Sequence, residues 1–208
     1  GQNYLSLYML YNGGDVVKQM RKVVDVVGRE NLFIIASLEP TIEKRDDIEA
    51  QLNGYLEILG VDYVDSLQLH SPLFTNLPLV DVYQEIQQLV AAGKVRHIGI
   101  SNANMEQLSG IEKEVKIDFF EGIYNLECKI YEDNGVIDYC HEHGKSFVAY
   151  QPLRRNRTAM RNYPVLVELA EKYHKTQNQV LLNWIIKEKK LFTLIKSTNM
   201  ERIDENVG

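Results

Sequence analysis

The chain has 208 residues, of which 45% are hydrophobic and 25% are charged, and this balance excludes a disordered or fibrous protein. Its 23 basic and 29 acidic residues give a formal net charge of −6, so no overall positive field attracts nucleic acid or an anionic membrane surface. No apolar run reaches the roughly 18 residues of a membrane span, and the first residues lack the pattern of a signal peptide. We therefore expect a soluble protein with neither a nucleic-acid nor a membrane partner.

The cysteine content indicates a reducing compartment. Cys128 and Cys140 are too few for a disulfide framework and lack the close pairing of a zinc site. We therefore predict a cytoplasmic protein with free thiols and no metal site. The sequence starts with Gly1 rather than Met and ends on Gly208 directly after a helical pattern, which indicates a fragment of a longer chain.

Short apolar or β-branched runs alternate with longer amphipathic stretches along the whole chain. The predicted strands are 3–5, 32–36, 63–69, 95–100, 119–124, 146–149 and 191–195. The predicted helices are 15–27, 43–59, 79–92, 105–113, 134–143, 165–174, 177–187 and 199–206. This alternation is typical of βαβ units with parallel strands. No linker or change of composition interrupts it, so residues 1–208 are predicted to form a single domain.

Two architectures fit this pattern, an open doubly wound sheet and a (β/α)₈ TIM barrel. A dinucleotide-binding open sheet is expected to carry a G-x-G-x-x-G turn after its first strand, and this sequence has none. Seven uninterrupted units also exceed the usual five or six strands of such a sheet, whereas a barrel has eight. The sequence therefore favours a (β/α)₈ barrel that is short by one strand.

Polar residues follow one predicted strand after another, which indicates a site at one rim of the barrel. The chemistry of a barrel lies where strands end and βα loops begin. The residues at these positions are His70, Ser101 with Asn102, Asn125, Tyr150 with Gln151, and Lys196 with Ser197. Any one of them could be only a turn residue or a helix cap, but together they form a candidate active site.

Five blocks of the sequence resemble, in order, successive blocks of the aldo-keto reductase family. The blocks are GVDYVDSLQLHSP, VRHIGISNANMEQL, YNLECKIYED, SFVAYQPL and LIKSTNMERIDENVG. The resemblance covers essentially the whole chain and implies a (β/α)₈ barrel that binds NADP(H) and reduces a small-molecule aldehyde or ketone. The family fold also has an initial hairpin and strand, a last helix and a C-terminal tail. This sequence lacks them, so a truncated barrel of seven strands is expected.

The last block implies the adenosine end of the cofactor site. By resemblance to the family, Lys196, Ser197 and Arg202 hold the 2′-phosphate of NADP(H). Glu205 and Asn206 stand at the positions that bind the adenine. The two cations and their spacing suit a phosphate.

The middle blocks imply the nicotinamide end of the same site. Ser101 and Asn102 match the pair that binds the carboxamide, and Tyr150 matches the aromatic residue on which the nicotinamide ring stacks. Asn125 stands where most family members have glutamine, and Gln151 stands where many have serine. Both are implied as cofactor ligands with an altered reach.

The catalytic positions of the family are matched only in part. Family members use Asp, Tyr, Lys and His, in which the tyrosine protonates the carbonyl oxygen and the lysine, helped by the aspartate, lowers the tyrosine pKa. The resemblance places Tyr11 at the tyrosine and His70 at the histidine, but Ser6 at the aspartate and Ser37 at the lysine. A phenol has an unperturbed pKa near 10, so Tyr11 could still donate its proton, and slow reduction is expected.

Three functions remain open from the sequence. The first is an NADP(H)-dependent oxidoreductase that reduces a carbonyl with impaired or altered catalysis. The second is a catalytically inactive NADPH-binding protein of the same fold, with a regulatory or scaffold role. The third is a non-redox reaction such as elimination, with Tyr11 and His70 as acid and base. Turnover of NADPH with aldehydes separates the first from the second.

Overall fold

The computed structural model describes residues 3–39, 41–72 and 75–207, and these residues contain seven β-strands. In chain order the strands are β1 (Tyr4–Tyr8), β2 (Phe33–Leu38), β3 (Val64–Leu69), β4 (Val95–Ser101), β5 (Phe119–Ile123), β6 (Ser146–Tyr150) and β7 (Phe192–Thr193). Their order in the sheet is also the chain order. The seven predicted strands are confirmed, although the first continues to Tyr8 and the last has only two residues.

The α-helices of the described residues lie between these strands and after the last one. They are α1 (Asp15–Val27), α2 (Asp46–Leu59), α3 (Leu79–Ala91), α4 (Met105–Ile111), α5 (Ile130–Asp133), α6 (Val136–Glu142), α7 (Pro164–Tyr173), α8 (Gln177–Asn183) and α9 (Met200–Val207). A π-helical turn, Trp184–Glu188, continues α8. None of these helices is both long and apolar enough to cross a membrane.

The described chain divides into two compact units, one that ends at Phe120 and one that begins at Glu121. In the first unit, parallel pairing joins β1 to β2, β2 to β3 and β3 to β4. Every residue of β3 is buried, as expected for a parallel strand that is covered on both faces. One face of α2 is apolar and buried, since Ile48, Leu52, Tyr55 and Leu59 recur at helical spacing and are all buried.

The second unit contains β6 and β7, which also pair in parallel. The Tyr124 ring lies at the centre of its aromatic core, 6.5 Å from the Phe147 ring and 5.6 Å from the Trp184 ring between centroids. Ile185, on the π-helical turn, is fully buried. Packing of these large side chains holds the ends of β5 and β6 in place.

Glycine residues with a left-handed backbone end or follow several of the helices. Gly60 ends α2 with φ +63° and ψ +45°, and Gly93 and Gly144 also have positive φ. The positive φ of Gly60 favours glycine there, because residues with a Cβ rarely adopt this backbone conformation.

Candidate functional site

Most of the residues that the sequence predicts to form the site lie at or after the C-terminal ends of the strands, some in the first unit and some in the second. In the first unit Ser37 lies in β2, His70 follows β3, and Ser101 ends β4. Ser6, in β1, faces Ile35 in register, and Tyr8 faces Ser37. In the second unit Asn125 follows β5 and Tyr150 ends β6, while Lys196 and Ser197 come after β7.

Three aromatic rings form a cluster at the ends of β1 and β3. The Tyr8 ring stacks on the imidazole of His70, with 3.9 Å between the ring centroids and 10° between the planes. The Tyr11 ring stands edge-on to both, 5.1 Å from Tyr8 and 6.1 Å from His70. The structure therefore brings together Tyr11 and His70, the two catalytic residues retained in the predicted set.

The environment of this cluster favours neutral side chains. Burial lowers the pKa of His70, because removing an imidazolium from water is unfavourable. Burial, followed by the negative charge of Glu39 and by Tyr11, raises the pKa of Tyr8. At neutral pH these two shifts leave the Tyr8 phenol protonated and the His70 imidazole neutral, so neither side chain carries a positive charge.

The position predicted to replace the lysine is closed and uncharged. Ser37 is only 2% exposed, and its hydroxyl accepts a hydrogen bond of 3.1 Å from the Gln68 side-chain amide. Tyr8, Ser37 and Gln68 are register partners across three strands, so their side chains lie on one face of the sheet. Tyr8 thus lies beside Ser37, the residue predicted to stand at the position of the family lysine.

Ser101 and Asn102 lie at the end of β4 and use part of their hydrogen-bonding capacity within the fold. The Asn102 side-chain amide donates to the carbonyl of His70 at 3.0 Å and to the Ser101 hydroxyl at 3.1 Å. Asn102 also has a left-handed backbone, with φ +57°, which asparagine tolerates better than most residues. This amide therefore ties the ends of β3 and β4 together.

Asn125 plays a similar part in the second unit. It is fully buried; its side-chain amide donates to the carbonyl of Gln151 at 3.3 Å, and its side-chain oxygen accepts from the Glu127 backbone at 3.0 Å. The predicted cofactor ligand thus also joins the loops that follow β5 and β6. Sequence reasoning did not find these contacts, because no local pattern specifies a partner 26 residues away.

An open cleft of about 280 Å³ follows Tyr150, and Gln151, Arg154, Arg155 and Arg157 line it. Gln151, Arg154, Arg155 and Asn156 all have positive φ, between +47° and +69°. Such conformations cost about 1–3 kcal/mol each and persist where the surrounding structure imposes them, often at ligand sites. The cleft brings together three guanidinium groups in a chain whose net charge is negative.

Glu127 neutralises only part of this arginine cluster. Its carboxylate pairs with Arg154 and, at 3.2 Å, with Arg161. Burial raises the pKa of the Glu127 carboxyl, but hydrogen bonding and the charges of the two arginines outweigh burial, so the pKa lies below its usual range. Among the described residues, no carboxylate forms an ion pair with Arg155 or Arg157, and these two remain available to an anionic ligand.

The segment after β7 carries the predicted phosphate-binding residues. The Asn199 side chain accepts a hydrogen bond from the Arg202 backbone, and the Ser197 hydroxyl accepts from the Asn199 backbone. In the described part of the chain, neither Lys196 nor Arg202 is paired with a carboxylate, and both are exposed. The start of α9 therefore presents two unpaired cations close together in the sequence.

Glu205 and Asn206 lie on α9, where they were expected to bind the adenine. The Thr176 hydroxyl donates to the Glu205 carboxylate at 2.6 Å, and the Gln179 side chain donates to the Glu205 carbonyl at 2.7 Å. Glu205 thus links α9 to the start of α8 through two hydrogen bonds, and one of its carboxylate oxygens is used in this link. No group of three or more His, Cys, Asp or Glu in the described ranges is placed to hold a metal ion.

Comparisons with known proteins agree with the order of these elements. The family model described as "Aldo/keto reductase family" matches residues 14–208. Tyr11 and Ser6 precede this range, whereas Ser37, His70 and the cofactor positions lie within it. A curated relative, "Aldo-keto reductase family 1 member A1" of Xenopus tropicalis, is 29% identical over 220 residues, which cover 93% of this chain and 66% of the relative.

Two solved structures show the same fold. A thermostable aldo-keto reductase, Tm1743, solved with the inhibitor epalrestat, has a TM-score of 0.92 and 29% identity, and the match covers all of this chain and 76% of that one. The Bombyx mori aldo-keto reductase AKR2E4, solved with NADP, has a TM-score of 0.85 and 26% identity, with 100% and 73% covered. The predicted (β/α)₈ fold lacking one strand is confirmed, and the chain spans about two thirds of the length of the curated relatives it matches.

Proposed function

Because the chain belongs to the aldo/keto reductase family, we propose that it binds NADP(H) and reduces an aldehyde or ketone, with impaired catalysis. The observation that carries this proposal is the pair of exposed cations at the start of α9, Lys196 and Arg202, which no carboxylate neutralises within the described residues. The chain spans only about two thirds of the length of its curated relatives. The proposed activity therefore depends on the residues that this chain contains.

The second unit fits the phosphate groups of NADP(H). Lys196 and Arg202 would hold the 2′-phosphate, since hydrogen bonds between charged partners are worth about 1.5–3 kcal/mol each. The cleft with Arg155 and Arg157 would receive the pyrophosphate. Tyr150 precedes the cleft in the chain and would support the nicotinamide ring. Gln151 follows it directly, and Asn125 donates a hydrogen bond to the Gln151 carbonyl.

The first unit fits the proton chemistry of carbonyl reduction. When bound, NADPH supplies a hydride to the carbonyl carbon. Tyr11 would donate its hydroxyl proton to the carbonyl oxygen, and His70, kept neutral by burial, would orient that oxygen through a ring N–H. Ser101 and Asn102 would bind the carboxamide of the cofactor.

Catalysis is expected to be slow, because Ser37 and Ser6, which the resemblance places at the lysine and the aspartate, carry no charge to stabilise a developing phenolate on Tyr11. Ser37 is buried and hydrogen-bonded to Gln68, and Glu39 adds negative charge near Tyr8. Stabilisation of such a charge in a dry site is worth a few kcal/mol, so its loss lowers the rate by about 10²- to 10⁴-fold. The same observation supports the second candidate, an inactive NADPH-binding regulatory or scaffold protein.

The test is a fluorescence titration with NADPH and NADH, followed by turnover with a panel of aldehydes. NADPH should bind at least about tenfold more tightly than NADH, and Arg202→Ala should remove most of this preference while leaving NADH binding unchanged. Arg45→Ala, which removes an exposed arginine in the first unit, is the matched control. Equal affinity for the two cofactors would reject the assignment, and binding without turnover would favour the second candidate.

A further inference from the structure

One helix residue links the backbones at the C-terminal ends of β1 and β2. Tyr55, on α2, is 1% exposed. Its hydroxyl accepts a hydrogen bond of 2.8 Å from the Met9 backbone N–H and donates one of 2.8 Å to the Ser37 carbonyl. Met9 directly follows β1, and Ser37 lies in β2, so a single buried hydroxyl bridges the two strand ends.

The preceding turn of α2 supports the same region. Gln51 lies four residues before Tyr55, on the same face of the helix, and its side-chain oxygen accepts a hydrogen bond of 2.7 Å from the Glu39 backbone N–H. Two polar side chains of α2 thereby satisfy backbone groups just beyond β1 and β2. The Tyr55 hydroxyl is buried and the Gln51 amide is half-buried, and such groups fix geometry because losing one partner leaves the other unsatisfied.

Tyr11 lies two residues beyond the Met9 N–H that Tyr55 holds. Tyr11 is 55% exposed, its neighbours Leu10, Asn12 and Gly13 are exposed as well, and Asn12 and Gly13 have positive φ. The Tyr11 ring contacts Tyr8 and His70, and the hydrogen bond from Met9 gives the start of this exposed segment a buried partner. β1, with the sequence YLSLY, has no charged residue, so an ion pair from this strand cannot make the link.

We propose that Tyr55 is a positioning residue for carbonyl reduction: its hydroxyl fixes Met9 against Ser37 and thereby holds Tyr11 beside Tyr8 and His70. This inference rests on the proposed function, in which Tyr11 donates the proton. The neutral Tyr55 hydroxyl joins the ends of β1 and β2 through hydrogen bonds to two backbone groups. It positions Tyr11, the proposed proton donor, without changing the charge around it.

Tyr55→Phe tests this role, since it keeps the ring and removes only the bridging hydroxyl. kcat should fall by about 10- to 100-fold, because small misplacement of a catalytic group has effects of this size. The KM for the aldehyde and the Kd for NADPH should stay within about twofold. Amide hydrogen exchange at Met9 should become at least about tenfold faster, and nitration of Tyr11 by tetranitromethane should change in rate.

Tyr124→Phe is the matched control, because it removes the hydroxyl of a buried tyrosine whose partner is Glu132. It should leave the Met9 exchange and kcat as in the parent. The positioning role is wrong if Tyr55→Phe leaves the Met9 exchange unchanged, or speeds it while kcat stays within about twofold of the parent. A parent that reduces no aldehyde overturns the proposed function instead. Exchange and nitration need no turnover, so unchanged values would still overturn the inference and changed values would still support it.

Discussion

Restoring the missing charges should raise the rate of reduction if Ser6 and Ser37 occupy the catalytic positions. The change is Ser6→Asp together with Ser37→Lys. Because Ser37 is 2% exposed and Tyr8 is its register partner on the same face, the lysine side chain would meet the Tyr8 ring. The Tyr8 ring occupies the space that this lysine needs, so the full change also includes Tyr8→Ala.

The expected gain follows from the electrostatics of the phenol. An ammonium group near Tyr11 favours the phenolate and lowers the pKa of its hydroxyl. We expect NADPH oxidation to increase at least about tenfold, which is roughly 1.4 kcal/mol of activation free energy. Ser37→Lys alone should instead destabilise the fold by about 3–5 kcal/mol, because a buried charge would lack its partner.

The assay follows the absorbance of NADPH with a reactive aromatic aldehyde. When Tyr11→Phe is added to the variant with Ser6→Asp, Tyr8→Ala and Ser37→Lys, the gain in rate should be abolished. A control variant matches the side-chain sizes without the charges and should show no gain in rate; it carries Ser6→Asn, Tyr8→Ala and Ser37→Met. If the charged variant folds, binds NADPH as the parent does and is no faster, the alignment of β1 and β2 with the family is wrong.

Two further changes test the packing and the charge network. Gly99→Ala should lower the free energy of unfolding by about 1–3 kcal/mol, because its Cβ would lie 2.4 Å from the Phe119 ring; urea denaturation should show this loss, and Gly54→Ala, with nothing within 4 Å, should not. Burial lowers the pKa of His70, and ion pairs lower the pKa of Glu127. In both cases the unfolded state binds more protons than the folded state, so the free energy of unfolding should decrease as the pH falls. We expect one decrease below about pH 6.5 from His70 and a second below about pH 4.5 from Glu127. Glu127→Gln should flatten the lower step in a series of melting temperatures against pH, and an unchanged step would contradict the pairing.

Local pattern was enough to predict most elements of this fold. Asp15–Val27 was predicted with the bounds that the structure has, since its apolar period and flanking glycines are encoded in neighbouring residues. The last strand was predicted as five residues but pairs over only Phe192–Thr193. An apolar run predicts burial, whereas the length of a strand depends on how much of its neighbour faces it.

The contacts of the site could not be predicted in the same way. The family resemblance gave positions for Tyr11 and His70, but the stacking of Tyr8 on His70 and the bridge through Tyr55 join residues 62 and 46 apart. Asn125 and Glu205 were predicted as cofactor ligands, and the structure shows that both also hold neighbouring loops or helices. A polar side chain has several possible partners, and only tertiary structure decides among them.

The predicted phosphate-binding residues and the predicted catalytic positions differ in the cost of placing a charge there in the folded chain. Lys196 and Arg202 are exposed, so they stay solvated without a ligand and carry little desolvation cost. A lysine at Ser37 would be buried and would need a carboxylate partner to be tolerated. Replacing both the buried lysine and its aspartate by serine therefore leaves the fold and the exposed cations intact. Replacing only one of the two would leave an unpaired buried charge. The proposed function therefore predicts that NADPH affinity and reduction rate are separable: the Ser6, Tyr8 and Ser37 changes should alter kcat with an unchanged Kd for NADPH, and Arg202→Ala should do the reverse.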